Sequence, residues 1–232
     1  MSLKLVVDKE KNRVVFAESG SDFVDVLLSF LTMPIGTVMR LTGKESKIGG
    51  MSTLYESVED LDLKLLQTEA CKKMLLKPTS ASEDHCRNLK VNVDDTEPTK
   101  YYSCSFGCCP EGHNYVSTSC NSQCLCGKFT GKMKIFDENV GAYSNDGVFV
   151  KGNMRFIIRD HLEVHPVSMT STFALLNELG ITDASVLEER SLNVGAAEAA
   201  SLLMASLISK TVLTDVFYPK KPEDSKILKT EA

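Results

Sequence analysis

The sequence lacks any long run of lysine and arginine, and it lacks the signals that direct a chain into or across a membrane. Its 26 Lys and Arg stand against 31 Asp and Glu, a formal charge of −5 with a pI near 5.5. A dedicated nucleic-acid binder carries a basic footprint, so no nucleic-acid partner is expected. A polybasic membrane-surface role falls on the same ground. The most apolar window, residues 23–39, is broken by Asp25 and Pro34, so no membrane span is expected. The chain runs from Met1 straight into an alternating strand, without the basic stretch, apolar core and small-residue cleavage site of a secretory signal. Ser2 stands where myristoylation needs glycine, Lys229-Thr230-Glu231-Ala232 is not a prenylation box, and no Asn-x-Ser/Thr sequon occurs. A cytoplasmic protein is expected, whose eight cysteines are read as thiols or metal ligands before disulfides.

Motifs of known catalytic sites are also missing. There is no Gly-x-Ser-x-Gly elbow and no His-Glu-x-x-His. Gly43-Lys44-Glu45-Ser46 fails as a phosphate-binding loop, because Val38 stands where the motif needs glycine and Glu45 where it needs Ser or Thr. His161-Leu162-Glu163-Val164-His165 alternates like a strand with Leu162 and Val164 inward. On a strand its two histidines would lie roughly 13 Å apart, too far for one ion. The stretch 196–209 has no Lys or Arg and carries Glu198, so as a helix it offers nothing to phosphates.

What is present is an ordinary globular composition, 43% hydrophobic and 25% charged over 232 residues, enough for one large domain or two small ones. It excludes a disordered and a collagen-like chain. Leu3, Leu5 and Val7, a polar turn at 8–12 and Val14-Val15-Phe16-Ala17 predict a β-hairpin over 3–17. A helix from Asp22 to about Leu31 follows, with Phe23, Val24, Leu27, Leu28 and Leu31 on its core face. Pro34 starts a second helix that Gly43 ends, and a third over 52–61 sets Leu54, Val58 and Leu61 on one side. Cys71, after a helix, reads as a small core residue, and Cys86 also stands apart from the other cysteines. Residues 77–88 read as a mobile loop, Leu89–Asp94 as a strand, and 100–106, 132–136 and 154–158 as further strands. Ser171–Leu179 closed by Gly180 reads as a helix, 184–190 as an added turn or two, 196–209 as a helix, and 212–217 as a short apolar finish. The class is α+β: an N-terminal β-hairpin with packed helices (1–76), a mainly β stretch with a cysteine-bearing insertion (89–165), a C-terminal helical unit (166–217) and a flexible tail (218–232).

Several strings carry a resemblance. Leu3-Lys4-Leu5-Val6-Val7-Asp8, Arg13-Val14-Val15-Phe16-Ala17-Glu18, Met33-Pro34-Ile35-Gly36-Thr37-Val38, Leu54-Tyr55-Glu56-Ser57-Val58 and Leu89-Lys90-Val91-Asn92-Val93-Asp94-Asp95 are similar to the successive signatures of a plant-specific family, domain of unknown function 674. The ending, Leu187-Glu188-Glu189 with Ser209-Lys210-Thr211-Val212-Leu213-Thr214-Asp215-Val216-Phe217, matches as well. The resemblance implies no activity, substrate or catalytic residue. It implies a single copy of a unit that related chains often hold twice.

The one chemistry-bearing constellation is a cysteine cluster. Cys104, Cys108, Cys109, Cys120, Cys124 and Cys126 lie within 23 residues, in the pattern Cys-x3-Cys-Cys-x10-Cys-x3-Cys-x-Cys-Gly. Two thiolate groups on either side of a hairpin-length spacer are the usual surround of a tetrahedral structural Zn²⁺. Cys104, Cys109, Cys124 and Cys126 are the leading four ligands, with Cys108 and Cys120 in reserve. Unmetallated thiols, disulfides and redox chemistry are the competing readings. Glu111 and His113 lie inside the spacer and read as solvated loop residues. The leading functional reading is a non-catalytic, zinc-stabilised interaction or scaffold module with a protein partner. The alternative is an enzyme or redox protein using Cys108 or Cys109, with His113 lowering the thiol pKa.

Overall fold

The computed structural model describes residues 1–43, 48–96, 99–104, 116–117, 123, 130–134 and 147–219. The chain divides into two compact units, Met1–Asp95 with Asn145–Ala232, and Thr96–Ser144.

In the first unit, β1 (Ser2–Asp8) and β2 (Arg13–Gly20) form the expected antiparallel hairpin, Leu3 opposite Ser19 and Asp8 opposite Arg13. Asp8 closes its turn by accepting the N–H groups of Glu10 and Lys11. α1 (Ser21–Ser29) continues as a 3-10 turn over Phe30–Thr32, and α2 (Ile35–Thr42) begins after Pro34 and ends at Gly43. α3 (Gly49–Asp60), α4 (Glu69–Leu76, capped by Thr68) and α5 (Glu83–Cys86) follow. Gly36 permits a close crossing of α2 and α4, since a Cβ there would lie 2.6 Å from the Leu75 carbonyl.

The second unit holds β3 (Tyr101–Cys104), β4 (Val116–Ser117) and β5 (Thr130–Lys134) in a sheet ordered β4-β3-β5.

The chain then completes the first unit. β6 (Arg155–Arg159) and β7 (Val164–Pro166) form a hairpin, α6 (Met169–Glu178) opens with a Ser168–Ser171 capping box, and β8 (Leu187–Asn193), α7 (Ala196–Ile208) and α8 (Val212–Phe217) follow. The antiparallel sheet runs β7-β6-β2-β1-β8. Strand alternation divides the sheet into two buried faces. Leu3, Leu5, Val7, Val14, Ala17 and Ile158 meet Phe23, Val24 and Leu27 of α1, Leu202 of α7 and Leu213 of α8. On the other face Val6, Phe16 and Ile157 meet Leu175 of α6. Between helices, Val26 of α1 packs with Ala199 and Leu203 of α7 and with Val93. The fold class is α+β.

Four local expectations are corrected. Leu89–Asp94 is not a strand; its apolar residues Leu89, Val91 and Val93 instead cover the seam of α1 and α7. Residues 184–190 are helical only at their start: a 3-10 turn at Ala184–Val186 leads into β8, which completes the sheet beside β1 in the register Leu5↔Arg190. The stretch 77–88 is docked, with the Thr37 hydroxyl donating to the Pro78 carbonyl and the Ser80 hydroxyl to that of Thr32. Leu31 is 85% exposed, because the tighter 3-10 turn rotates it away from the face that Leu27 shares with the sheet.

Of the tail expected to be flexible over 218–232, Tyr218 is fastened, and residues 220–232 lie outside the described residues. The Tyr218 ring lies 4.7 Å below the Arg190 guanidinium and packs against the core under α8. Removing Tyr218 is expected to cost about 1–2 kcal/mol, from the cation–π contact and the lost apolar area. Urea unfolding of chains ending at Phe217 and at Pro219 measures the difference; equal midpoints would contradict the docking.

Asp160 shows how α8 is held. Its carboxylate accepts the Thr214 N–H and hydroxyl, each at 2.8 Å, while the Thr214 hydroxyl oxygen accepts the Val14 N–H at 2.9 Å. Burial pushes the Asp160 carboxyl above its ordinary value, with Asp215 adding to the rise and the Thr214 bonds and Arg13 opposing it. A raised acid binds its proton more readily in the folded state, so its stabilising contribution is complete below the unfolded value and is lost as pH rises through the folded one. Stability measured against Asp160→Asn should therefore move in favour of the variant as pH rises above the ordinary aspartate value of about 4. A pH-independent difference would contradict the assignment.

Candidate functional site

β3 lies at the centre of the small sheet, with Ser103 buried. Ser103 pairs with Val116 of β4, and Cys104, the last residue of β3, pairs with Thr130, the first of β5, across a register shift. The antiparallel order fixes the connections. Positions 105–115 leave β3 and rejoin the sheet at the Cys104 end, and positions 118–129 re-enter at that same end. The sheet thus brings to one end of its strands the backbone of Cys104 and the entry points of both connections that carry the other five cysteines of the cluster. Cys108, Cys109, Cys120, Cys124 and Cys126, together with Glu111 and His113, lie outside the described residues.

The remaining two cysteines differ in burial. Cys86 is buried beside Thr32, 3.8 Å from its hydroxyl, and burial pushes its thiol pKa up. Such a thiol is a poor nucleophile. Cys71 is not the core residue expected: it is half-buried in the first turn of α4, rather than after a helix, and its N–H donates to the Thr68 hydroxyl.

The His161–His165 stretch is not one continuous strand. It caps the β6–β7 hairpin, with Leu162 at φ 68° and the Leu162 N–H donating to the Arg159 carbonyl. Leu162 and Val164 do pack toward the core, as the alternation predicts. The bend brings both imidazoles to one carboxylate: His161 Nε2 is 3.3 Å and His165 Nε2 3.1 Å from Glu163, which also accepts from Arg159. Desolvation acts upward on Glu163, but the His165 bond and the Arg159 charge outweigh it and hold the carboxyl below its ordinary range. Arg159 passes on to Glu178 of α6 at 2.8 Å, so the cluster is an ion-pair tie between hairpin and helix. Among the described residues no group of three or more His, Cys, Asp or Glu is arranged to hold a metal.

Sequence periodicity misses one surface. α3, the 3-10 turn at Leu63–Leu65 and α4 bury no residue, and Leu54, Leu63, Leu65, Met74 and Leu75 are exposed. Leu54 and Leu61, expected on one side of a helix over 52–61, are both exposed. The signal available was composition: four acidic residues among positions 56–62 leave α3 little apolar area with which to dock. Among the described residues no single helix is long and apolar enough to cross a membrane; the bent pair 21–32 and 35–42 meets the length and composition criterion only when joined, across 112°.

Comparison with curated proteins and with solved structures gives no match. The family described as "Protein of unknown function (DUF674)" matches residues 1–232, and the chain belongs to that family.

Proposed function

We propose that this chain is a non-catalytic interaction or scaffold module of the plant cytosol, stabilised by a structural zinc ion on Cys104, Cys109, Cys124 and Cys126. The observation that carries the reading is the register of the small sheet, in which Cys104 and the entry points of both cysteine-bearing connections share one end of the strands. Cys109 is five positions beyond Cys104, a span of at most about 18 Å, and Cys126 is four positions before Thr130, at most about 14 Å. Chain length therefore permits both thiol groups to meet at that end. Size supports the same conclusion. A unit spanning only Thr96–Ser144 lies in the range where a single apolar core supplies little stability and a metal or disulfide staple is needed. The exposed apolar residues of α3 and α4 supply the surface for a protein partner.

Thiol reactivity separates this reading from an enzyme or redox protein using Cys108 or Cys109. In the native full chain the four proposed ligands should resist alkylation until a chelator is added, and should then react together with zinc release. Rapid alkylation of Cys108 or Cys109 in protein that releases no metal would overturn the proposal and favour the reactive-cysteine alternative.

A further inference from the structure

We infer that Asp25 and Arg40 fasten the chain of the first unit on both sides of residues 96–144, so that β3 and β5 unfold independently of β1, β2 and α1. The inference does not rest on zinc. The chain leaves the first unit after Asp95 and returns at Asn145. At the exit, the Arg40 guanidinium on α2 pairs with Asp94 and Asp95, and Val93 immediately before them is embedded against Val26 and Leu203.

At the return, Asp25 on α1, only 2% exposed, accepts three successive backbone N–H groups, from Val148 at 2.8 Å, Phe149 at 2.8 Å and Val150 at 2.9 Å. A buried carboxylate is tolerated only when it is hydrogen-bonded in this way, and bonds to a charged acceptor are the strong ones. Gly147 makes the turn possible: it sits at φ +89°, and a Cβ there would lie 2.0 Å from the Val150 carbonyl oxygen. Val150 then packs against the core that α1 shares with the sheet. Both anchoring side chains thus come from the consecutive helices α1 and α2, and both act within a few residues of the points where the chain changes unit. A carboxylate on an otherwise apolar helix face, and an arginine that closes a helix, gain a common role as a pair of clamps. Unfolding of β3 and β5 then ends at the clamps instead of travelling into β1, β2 and α1.

Native-state hydrogen exchange of the full chain, over a series of urea concentrations below the unfolding transition, tests this. The amides of Val148, Phe149 and Val150 should open together with those of β1, β2 and α1, while the paired amides of β3 and β5 open in a separate step at lower urea. Asp25→Asn should speed exchange at 148–150 by at least about tenfold and leave β3 and β5 unchanged. Arg40→Met should do the same near 93–96, which keeps the test available if the Asp25 variant fails to fold. The clamp is overturned if 148–150 open with β3 and β5, if all described strands open in one step, or if either variant also accelerates β3 and β5.

Discussion

Leu27→Asp should abolish cooperative folding. Leu27 is 7% exposed on the face of α1 that meets Leu3, Leu5 and Ile158 of the sheet. A carboxylate placed there has no partner, and an uncompensated buried charge costs several kcal/mol against a total stability of about 5–15 kcal/mol. Leu31→Asp is the matched control. It lies one turn on in the same sequence pattern yet is 85% exposed, and should change stability by no more than about 0.5 kcal/mol. Circular dichroism with urea titration of the two variants reads the contrast. A cooperatively folding Leu27→Asp protein within about 1 kcal/mol of wild type would mean that α1 does not face the sheet.

The second large effect concerns the cysteines. Structural zinc binding contributes on the order of 10 kcal/mol of folding energy to small domains, more than a unit the size of 96–144 can supply from its own core. Replacing Cys104, Cys109, Cys124 and Cys126 together with serine should therefore remove amide protection from β3 and β5. Because the first unit has its own two-faced core, its melting transition should persist. Cys71→Ser should change neither. Retained protection of β3 and β5 in the quadruple variant would show that the thiols are not what holds this unit.

The sequence made legible those elements whose signals are local. The alternation of 3–7 and 14–17, the Pro34 start and Gly43 stop of α2, and the Gly180 end of α6 each follow from neighbours within a few residues. β8 was missed because its reason is distant. Its sequence Leu-Glu-Glu-Arg-Ser-Leu-Asn shows little apolar signal, as an edge strand with one exposed side permits, and its partner β1 lies at the other end of the chain. Leu89–Val93 failed in the opposite way. The alternation there is clean, but it fills the α1–α7 seam, and the vacancy beside β1 goes to β8. Periodicity reports that residues are buried, not against what. The candidate site divides along the same line. The cysteine spacing is visible in the sequence, while the entry of both connections at the Cys104 end depends on strand register. The His161 and His165 contacts with one carboxylate depend on a hairpin bend that alternation cannot encode.

Metal content of the full chain, purified without chelator or added metal and measured by elemental analysis beside the quadruple Cys104/Cys109/Cys124/Cys126→Ser variant, tests the central claim most directly. The proposal predicts about one zinc per chain in the wild type and none in the variant. Metal-free wild-type protein, or zinc retained by the variant, would contradict it.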